Sequence, residues 1–107
     1  MDTNRTGDGW NALADGTRRA IVSRLADGPQ AVGQLAAGLP VSRSAVSQHL
    51  KVLKDAGLVS ERAAGTRRLY RLNPTAVAAL RDQLDTFWQR ALASYADVAE
   101  HPAQENP

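Results

Sequence analysis

Residues 38–57 read GLPVSRSAVSQHLKVLKDAG, and this stretch decides the fold. Ser42 is a residue type that caps helix N-termini, and Gly57 is a type that ends helices in a left-handed conformation. Together they bound a predicted helix over Arg43–Ala56. At helical spacing one side of this helix is apolar, and it consists of Val46, Leu50 and Leu53. The opposite side carries short polar side chains and one cation: Ser44, Ser47, Gln48 and Lys51.

Shorter helices precede this one. Asp15 is the predicted N-cap of a helix over Thr17–Ala26, which ends at Asp27-Gly28-Pro29 because Pro cannot continue a helix. A further helix is predicted over Ala31–Ala37, and the Gly-Leu-Pro turn at 38–40 ends it. A short helix at Trp10–Leu13 also fits the sequence. Two helices joined by a tight turn, the second with a polar outer side, are typical of a helix-turn-helix.

The residues after Gly57 predict a hairpin and a long final helix. Leu58–Ala63 and Arg67–Leu72 are short extended runs whose Gly-containing connection is typical of a β-hairpin. Asn73-Pro74 starts the final helix, since Asn caps helices and Pro is favoured at the first helical position. From Thr75 to about Ala99 apolar residues recur at three- and four-residue steps, over roughly 35 Å at a rise of about 1.5 Å per residue. We therefore predict a mainly α fold with a small β-hairpin wing, a winged helix-turn-helix.

Length and composition indicate one domain and exclude several classes of protein. The 107 residues suffice for one domain, predicted over 9–99, with flexible polar tails at 1–8 and 100–107. The absence of cysteine excludes disulfides, thiolate metal sites and thiol chemistry. Residues 1–10 are polar and Gly-rich with no apolar run typical of a signal peptide, and the sequence has no apolar run of about 18 residues, so we expect a cytoplasmic protein without a membrane segment. Two histidines and no carboxylate pair beside a nucleophile form no catalytic arrangement, so no enzymatic activity is predicted.

Positive charge is concentrated in the middle of the chain. The formal net charge is +2, but residues 31–72 hold seven cations against Asp55 and Glu61. Residues 73–107 hold two cations against five acidic residues. Because the middle cations lie on the 43–56 helix and the hairpin, they favour a local polyanion-binding surface over an ordinary solvated face.

The polar side of the 43–56 helix suits the major groove of B-DNA. Gln48 can pair bidentately with adenine, and Arg43 can pair with guanine or a phosphate. The serines can donate at short range, the lysines can contact the backbone, and the hairpin arginines can reach the adjacent minor groove or its phosphates. The predicted DNA-binding residues are Ser42, Arg43, Ser44, Ser47, Gln48, Lys51, Lys54, Arg67 and Arg68.

Several runs of the sequence match the pattern of a known family. They are ADGTRR at 14–19, VSRSAVSQHLKVL at 41–53, AGLV at 56–59 and GTRR at 65–68. In these runs the chain resembles the ArsR/SmtB family of bacterial repressors. The resemblance implies a winged-helix fold, a homodimer built from the N- and C-terminal helices, and repression that a signal relieves. The predicted dimerisation residues are Trp10, Leu13, Leu84, Phe87, Trp88, Ala91, Leu92 and Tyr95.

The sequence departs from this family where its members sense metals. Cysteine is absent, and the final helix offers Asp82, Asp85 and Asp97 with no histidine before His101. Zinc requires three or four ligands in tight mutual geometry, so we predict no metal site and no cofactor. His49 is interpreted as a structural residue of the helix, and His101 as a polar tail residue. The inducing signal, small molecule or otherwise, cannot be assigned from these residues.

Other functions remain open at this point. The aromatic residues of the final helix could form core, a dimer seam or part of a ligand pocket, and the width of the apolar face favours the seam. Sequence-specific binding of an inverted-repeat operator is the primary hypothesis. The alternatives are a winged-helix protein–protein interaction module, an architectural DNA-binding protein and, more weakly, an RNA-binding protein.

Overall fold

The computed structural model describes residues 5–100, with side chains described from residue 9 onward. Five helices and three short strands follow one another in the order expected of a winged helix-turn-helix, which confirms the predicted fold class. They are α1 (Arg5–Ala12), α2 (Gly16–Leu25), β1 (Gln30–Ala31), α3 (Val32–Ala37), α4 (Arg43–Asp55), β2 (Val59–Ala64), β3 (Arg67–Leu72) and α5 (Pro74–Glu100).

The residue types that predicted the helix boundaries also make the capping contacts. The Asp15 carboxylate accepts from the Arg18 backbone N–H at 2.9 Å. The Ser42 hydroxyl accepts from the Ala45 N–H at 3.1 Å. Gly57 follows α4 with a φ of 83°, a conformation that costs glycine nothing. These local contacts place the ends of α2 and α4 within a residue of the predicted bounds.

The core forms where α2, α3 and α4 meet. Its largest fully enclosed side chains are at most 1% exposed, and they are Ile21, Leu35, Val46, Leu50 and Leu53. The apolar stripe of α4 is thus entirely covered, as predicted. Leu80 of α5 joins this cluster and is 8% exposed. The opposite side of α4 is therefore held outward by apolar burial worth roughly 1.5–3 kcal/mol per large side chain.

The sheet has one strand that the sequence analysis did not predict. β3 lies in the middle of the sheet, paired antiparallel with β2 along its whole length and with β1 at its central residues. β1 is only two residues long and directly precedes α3, so it carries no alternation that a sequence pattern could reveal. It pairs Gln30 with Tyr70 and Ala31 with Leu69, which fastens the wing to the start of α3.

The first helix begins earlier than predicted. α1 spans Arg5–Ala12 and thus includes part of the segment 1–8 that was predicted to be a tail. A Cβ atom added at Gly9 would lie 3.2 Å from the Leu80 side chain, so the glycine allows α1 to approach α5 closely. The tail predictions for residues 1–4 and 101–107, and with them His101, lie outside the described residues.

The last helix extends well beyond the core. α5 has 27 residues, which corresponds to roughly 40 Å at a rise of about 1.5 Å per residue. Leu80 is the one buried residue of α5, and the positions from Leu84 to Glu100 are all exposed. No helix within residues 5–100 is both long enough and apolar enough to cross a bilayer.

Candidate nucleic-acid interface

The outward side of α4, which we call the reading face, is fully available. Its members are all exposed, and they are Ser44, Ser47, Gln48 and Lys51. Within the described part of the chain, Ser44, Ser47 and Gln48 make no side-chain hydrogen bond to another residue. Their donors and acceptors can therefore pair with an incoming ligand without breaking an internal contact. The helix beneath them is rigidly anchored by its buried stripe.

Arg43 is the first residue of α4. Its guanidinium lies over α3, where a Cβ atom at Gly33 would be 3.8 Å from the guanidinium carbon. The same open groove is lined by Thr66, Arg67 and Arg68 from the hairpin tip. Three guanidinium groups thus border one concave surface between α3 and the wing, and one of the three comes from the first residue of α4. Such a surface favours a polyanion.

Glu61 of β2 holds two of the cations that were predicted to contact DNA. Lys54 donates to one oxygen of Glu61, and the Arg68 guanidinium lies 3.7 Å from the other oxygen. The Glu61 side chain is only 17% exposed, so this cluster is partly desolvated and differs from an ordinary ion pair on the surface. It connects the last turn of α4 to the wing.

The protonation equilibria of this cluster follow from the contacts. The hydrogen bond from Lys54, followed by that from the Tyr70 hydroxyl, lowers the pKa of Glu61 below its ordinary value of 4.5. Burial, with the Glu61 hydrogen bond added, raises the pKa of Tyr70. Sequence reasoning missed Glu61. The sequence did hold a clue, because Glu61 is the one acidic residue of the hairpin, and basic and aromatic residues lie on the strand that pairs with it.

Lys51 is held much more weakly. It pairs with Asp55 one helical turn away at 2.9 Å, but the two side chains are 76% and 64% exposed. Pairs of this kind contribute little and exchange readily with other anions. Among the predicted contacts, the cations available to a ligand are therefore Arg43, Lys51 and Arg67, whereas Lys54 and Arg68 are engaged with Glu61.

His49 connects the recognition helix to α2, in agreement with its interpretation as a structural residue. Its Nδ1 lies 3.8 Å from the Asp15 carboxylate and 3.4 Å from the Arg18 guanidinium. Arg18 in turn donates from Nε to the carbonyl of Ala12 at 2.6 Å. The backbone N–H of Arg18 is the main reason that the pKa of Asp15 is lowered. These contacts tie the end of α1, the start of α2 and α4 together.

The predicted dimerisation residues separate into two groups. Trp10 and Leu13 pack against the core of their own chain, and the Trp10 indole N–H donates to Gln83 of α5 at 2.6 Å. The others lie uncovered on α5. Leu84, Phe87, Trp88, Leu92 and Tyr95 are between 45% and 74% exposed. With Ala91 and Val98 they form what we call the seam face.

No described side chains assemble into a metal centre. Within residues 5–100 no group of three or more histidine, cysteine, aspartate or glutamate side chains is close enough to hold an ion. The aspartates of α5 that the sequence analysis considered, Asp82, Asp85 and Asp97, are all exposed.

Comparisons with known proteins agree with this geometry. The profile of bacterial regulatory proteins of the arsR family matches residues 15–61. The HTH-type transcriptional regulator Rv2034 of Mycobacterium tuberculosis (strain ATCC 25618 / H37Rv) is 66% identical over 101 residues, which cover 94% of this chain and 94% of that protein.

Solved structures show the same fold. A crystal structure described as a possible transcriptional regulator for arsenical resistance has a TM-score of 0.70 at 47% identity, over 81% of this chain and 95% of that one. A solution structure of the homodimeric winged helix-turn-helix DNA-binding domain of Mb0332 from Mycobacterium bovis has a TM-score of 0.68 at 32% identity, over 84% of this chain and 83% of that one. The chain therefore belongs to the arsR family of bacterial regulatory proteins and is a winged helix-turn-helix transcriptional regulator.

Proposed function

We propose that two copies of this chain bind an inverted-repeat operator and repress transcription from it. The observation that carries the proposal is the reading face, where exposed Ser44, Ser47 and Gln48 make no side-chain hydrogen bond to another described residue and a completely buried apolar stripe lies on the other side of the helix. An exposed helix with short hydrogen-bonding side chains fits the width of the B-form major groove. The deep, narrow major groove of A-form RNA would not admit it.

Each residue of this surface has a distinct role in the proposal. Gln48 reads adenine through its amide, with Ser44 and Ser47 beside it on the same face. Arg43 pairs with guanine or with a phosphate at the start of the helix. Ser42, Lys51 and Arg67 contact the backbone. Lys54 and Arg68 act mainly through Glu61, by setting where the wing meets the duplex.

The seam face supports the dimeric state. An isolated subunit would leave five large side chains of α5 mostly in water, and contiguous exposed apolar surface on this scale marks an interaction site. The related Mb0332 domain is homodimeric. Two copies joined through α5 would present two recognition helices to successive major grooves, about one helical turn apart.

Fluorescence anisotropy tests the proposal. Purified protein is titrated into a duplex from the region upstream of its own gene and into a scrambled duplex, each at two salt concentrations. We expect promoter-selective binding with two subunits per site and an affinity that falls with salt. Equal binding to both duplexes would point to an architectural protein or to an operator elsewhere. No binding by an intact dimer would favour a protein–protein interaction module.

A further inference from the structure

The strand register separates the wing arginines onto two faces. Paired residues of an antiparallel ladder point to the same side, and successive residues alternate. Glu61 pairs with Tyr70 and Ala63 with Arg68, so these lie on the same side of the sheet as the buried Val59, which is the core side. Arg62 pairs with Leu69 and therefore shares its side of the sheet, the outward side. Arg67 and Arg71 lie two residues before and two residues after Leu69, so they are on the outward side as well. The adjacent arginines 67 and 68 thus have different surroundings.

The outward side of the sheet, which we call the outer wing face, has an unbalanced positive charge. On β2 and β3 its members are Ser60, Arg62, Ala64, Arg67, Leu69 and Arg71. All three arginines are exposed, and none has a carboxylate within 4.0 Å in the described part of the chain. Like charges on neighbouring strand positions disfavour folding slightly, so this arrangement has no structural advantage.

The outer wing face is also continuous with the proposed DNA interface. Arg67 belongs both to this face and to the groove that Arg43 borders at the start of α4. A line of cations therefore runs from the recognition helix through the hairpin tip and along the outside of the sheet. Double-stranded DNA is the partner whose negative charges repeat regularly over such a length.

Resting on the proposed function, we propose that Arg62 and Arg71 extend the interface through Arg67 and bind phosphates of the DNA that flanks the bases read by α4. Arg62 and Arg71 were not among the contacts predicted from the sequence. Their contribution is independent of base identity, because contacts to phosphates carry no sequence information. The wing then lengthens the footprint of each subunit without adding sequence preference.

The test compares two duplexes that share an operator selected from a randomised library. The short duplex ends at the outer edges of the half-sites, and the long one continues by about one helical turn, roughly 10 base pairs, on each side. Wild type and R62Q/R71Q are titrated into both duplexes over a range of salt concentrations. Each lost phosphate contact lowers the slope of log affinity against log salt by about 0.9, so we expect a decrease of roughly 2–4 per dimer on the long duplex. On the short duplex we expect no change.

Controls separate this effect from general charge or folding. R90Q removes an exposed arginine of α5 that lies away from the seam face, and we expect it to leave both slopes unchanged. R62K/R71K keeps the charge and should retain most of the slope. An unchanged slope of R62Q/R71Q on the long duplex would overturn the inference, as would an equal decrease on both duplexes. In either case specific binding by wild type would leave the proposed function standing.

Discussion

Helices α4 and α5 each leave one face uncovered, and the two faces differ completely in chemistry. The reading face of α4 has hydroxyl, amide and ammonium groups. The seam face of α5 has leucine, phenylalanine, tryptophan and tyrosine, with Tyr95 as much as 74% exposed. Polar groups of the first kind can stay hydrated until a ligand replaces the water, whereas large apolar groups gain free energy whenever they leave water. The reading face is therefore suited to a partner that binds reversibly, and the seam face is suited to a permanent partner.

A charge on the seam face tests the permanent contact and should have the largest effect. We expect Trp88→Glu to weaken dimerisation by about 2–4 kcal/mol, roughly 30- to 1000-fold, because an ionised carboxylate would be buried against apolar side chains. Sedimentation equilibrium measures the change. Gln89→Glu introduces the same charge at the next position, which is outside the seam face, and should remain dimeric. If both variants were dimeric, α5 would not form the seam.

Removing the amide of the reading face tests the exchangeable contact. Gln48→Ala should reduce discrimination at one base position by about 1–3 kcal/mol while changing folding stability by less than about 0.5 kcal/mol. Anisotropy with a set of single-base operator variants measures the preference. The matched control is Gln89→Ala, an exposed glutamine on α5. A preference that survives Gln48→Ala would remove this residue from base readout.

Both faces were predictable from sequence, whereas contacts between residues distant in the chain were not. Local periodicity revealed both faces, since helical spacing alone separates Val46 and Leu50 from Gln48. Local reasoning could not tell that Trp10 covers its own core, because the contact with Gln83 joins residues 73 positions apart. β1 was missed for a similar reason, since its two residues are strand only because β3 pairs with them.

The Glu61 cluster shows the same limit in the candidate site. From sequence, Lys54 was one more cation on a basic helix, and nothing in α4 itself indicates that β2 brings a carboxylate to it. Arg67 and Arg68 were treated as equivalent because they are adjacent. Alternation along β3 places them on opposite faces of the wing, and the register of β2 against β3 shows that Arg68 is the one on the side of Glu61.

Glu61→Gln tests whether this cluster fixes the wing against the reading face. We expect a loss of roughly 1–2 kcal/mol in the free energy of unfolding near neutral pH, from the ionic hydrogen bonds of a mostly buried carboxylate. The lowered pKa of Glu61 means that its contribution is complete above about pH 4.5 and is lost as the pH falls through the folded-state pKa. Urea titrations should therefore show wild type and variant converging in acid.

The appropriate control is Tyr70→Phe, which removes one hydrogen bond to Glu61 and keeps both ion pairs. It should show a smaller loss than Glu61→Gln and a reduced but still present pH dependence, because the Tyr70 hydroxyl is only the second cause of the lowered pKa of Glu61. A Glu61→Gln protein as stable as wild type at neutral pH would mean that the wing is held by its apolar contacts alone.

Lys51→Gln should have the smallest effect on stability. Its exposed pair with Asp55 contributes about 0.3–0.5 kcal/mol, so thermal unfolding should barely change. The salt dependence of operator binding should nevertheless flatten, because the exposed Lys51 can exchange its weak pair with Asp55 for a phosphate. Lys54→Gln should show the reverse, with a measurable loss of stability and little change in the salt slope. Equal slopes in both variants would contradict the division between free and engaged lysines.

Changing the spacing between the operator half-sites tests most directly whether a dimer joined through the seam face holds two reading faces in a fixed relation. About five base pairs are inserted between the half-sites, which turns one half-site by half a helical turn relative to the other. If two recognition helices are held in fixed relation through α5, affinity should fall toward that for scrambled DNA, a loss of at least about 10³-fold at typical specificity ratios. An affinity that is unchanged by the insertion would show that the subunits bind independently, and it would contradict a dimer joined through the seam face.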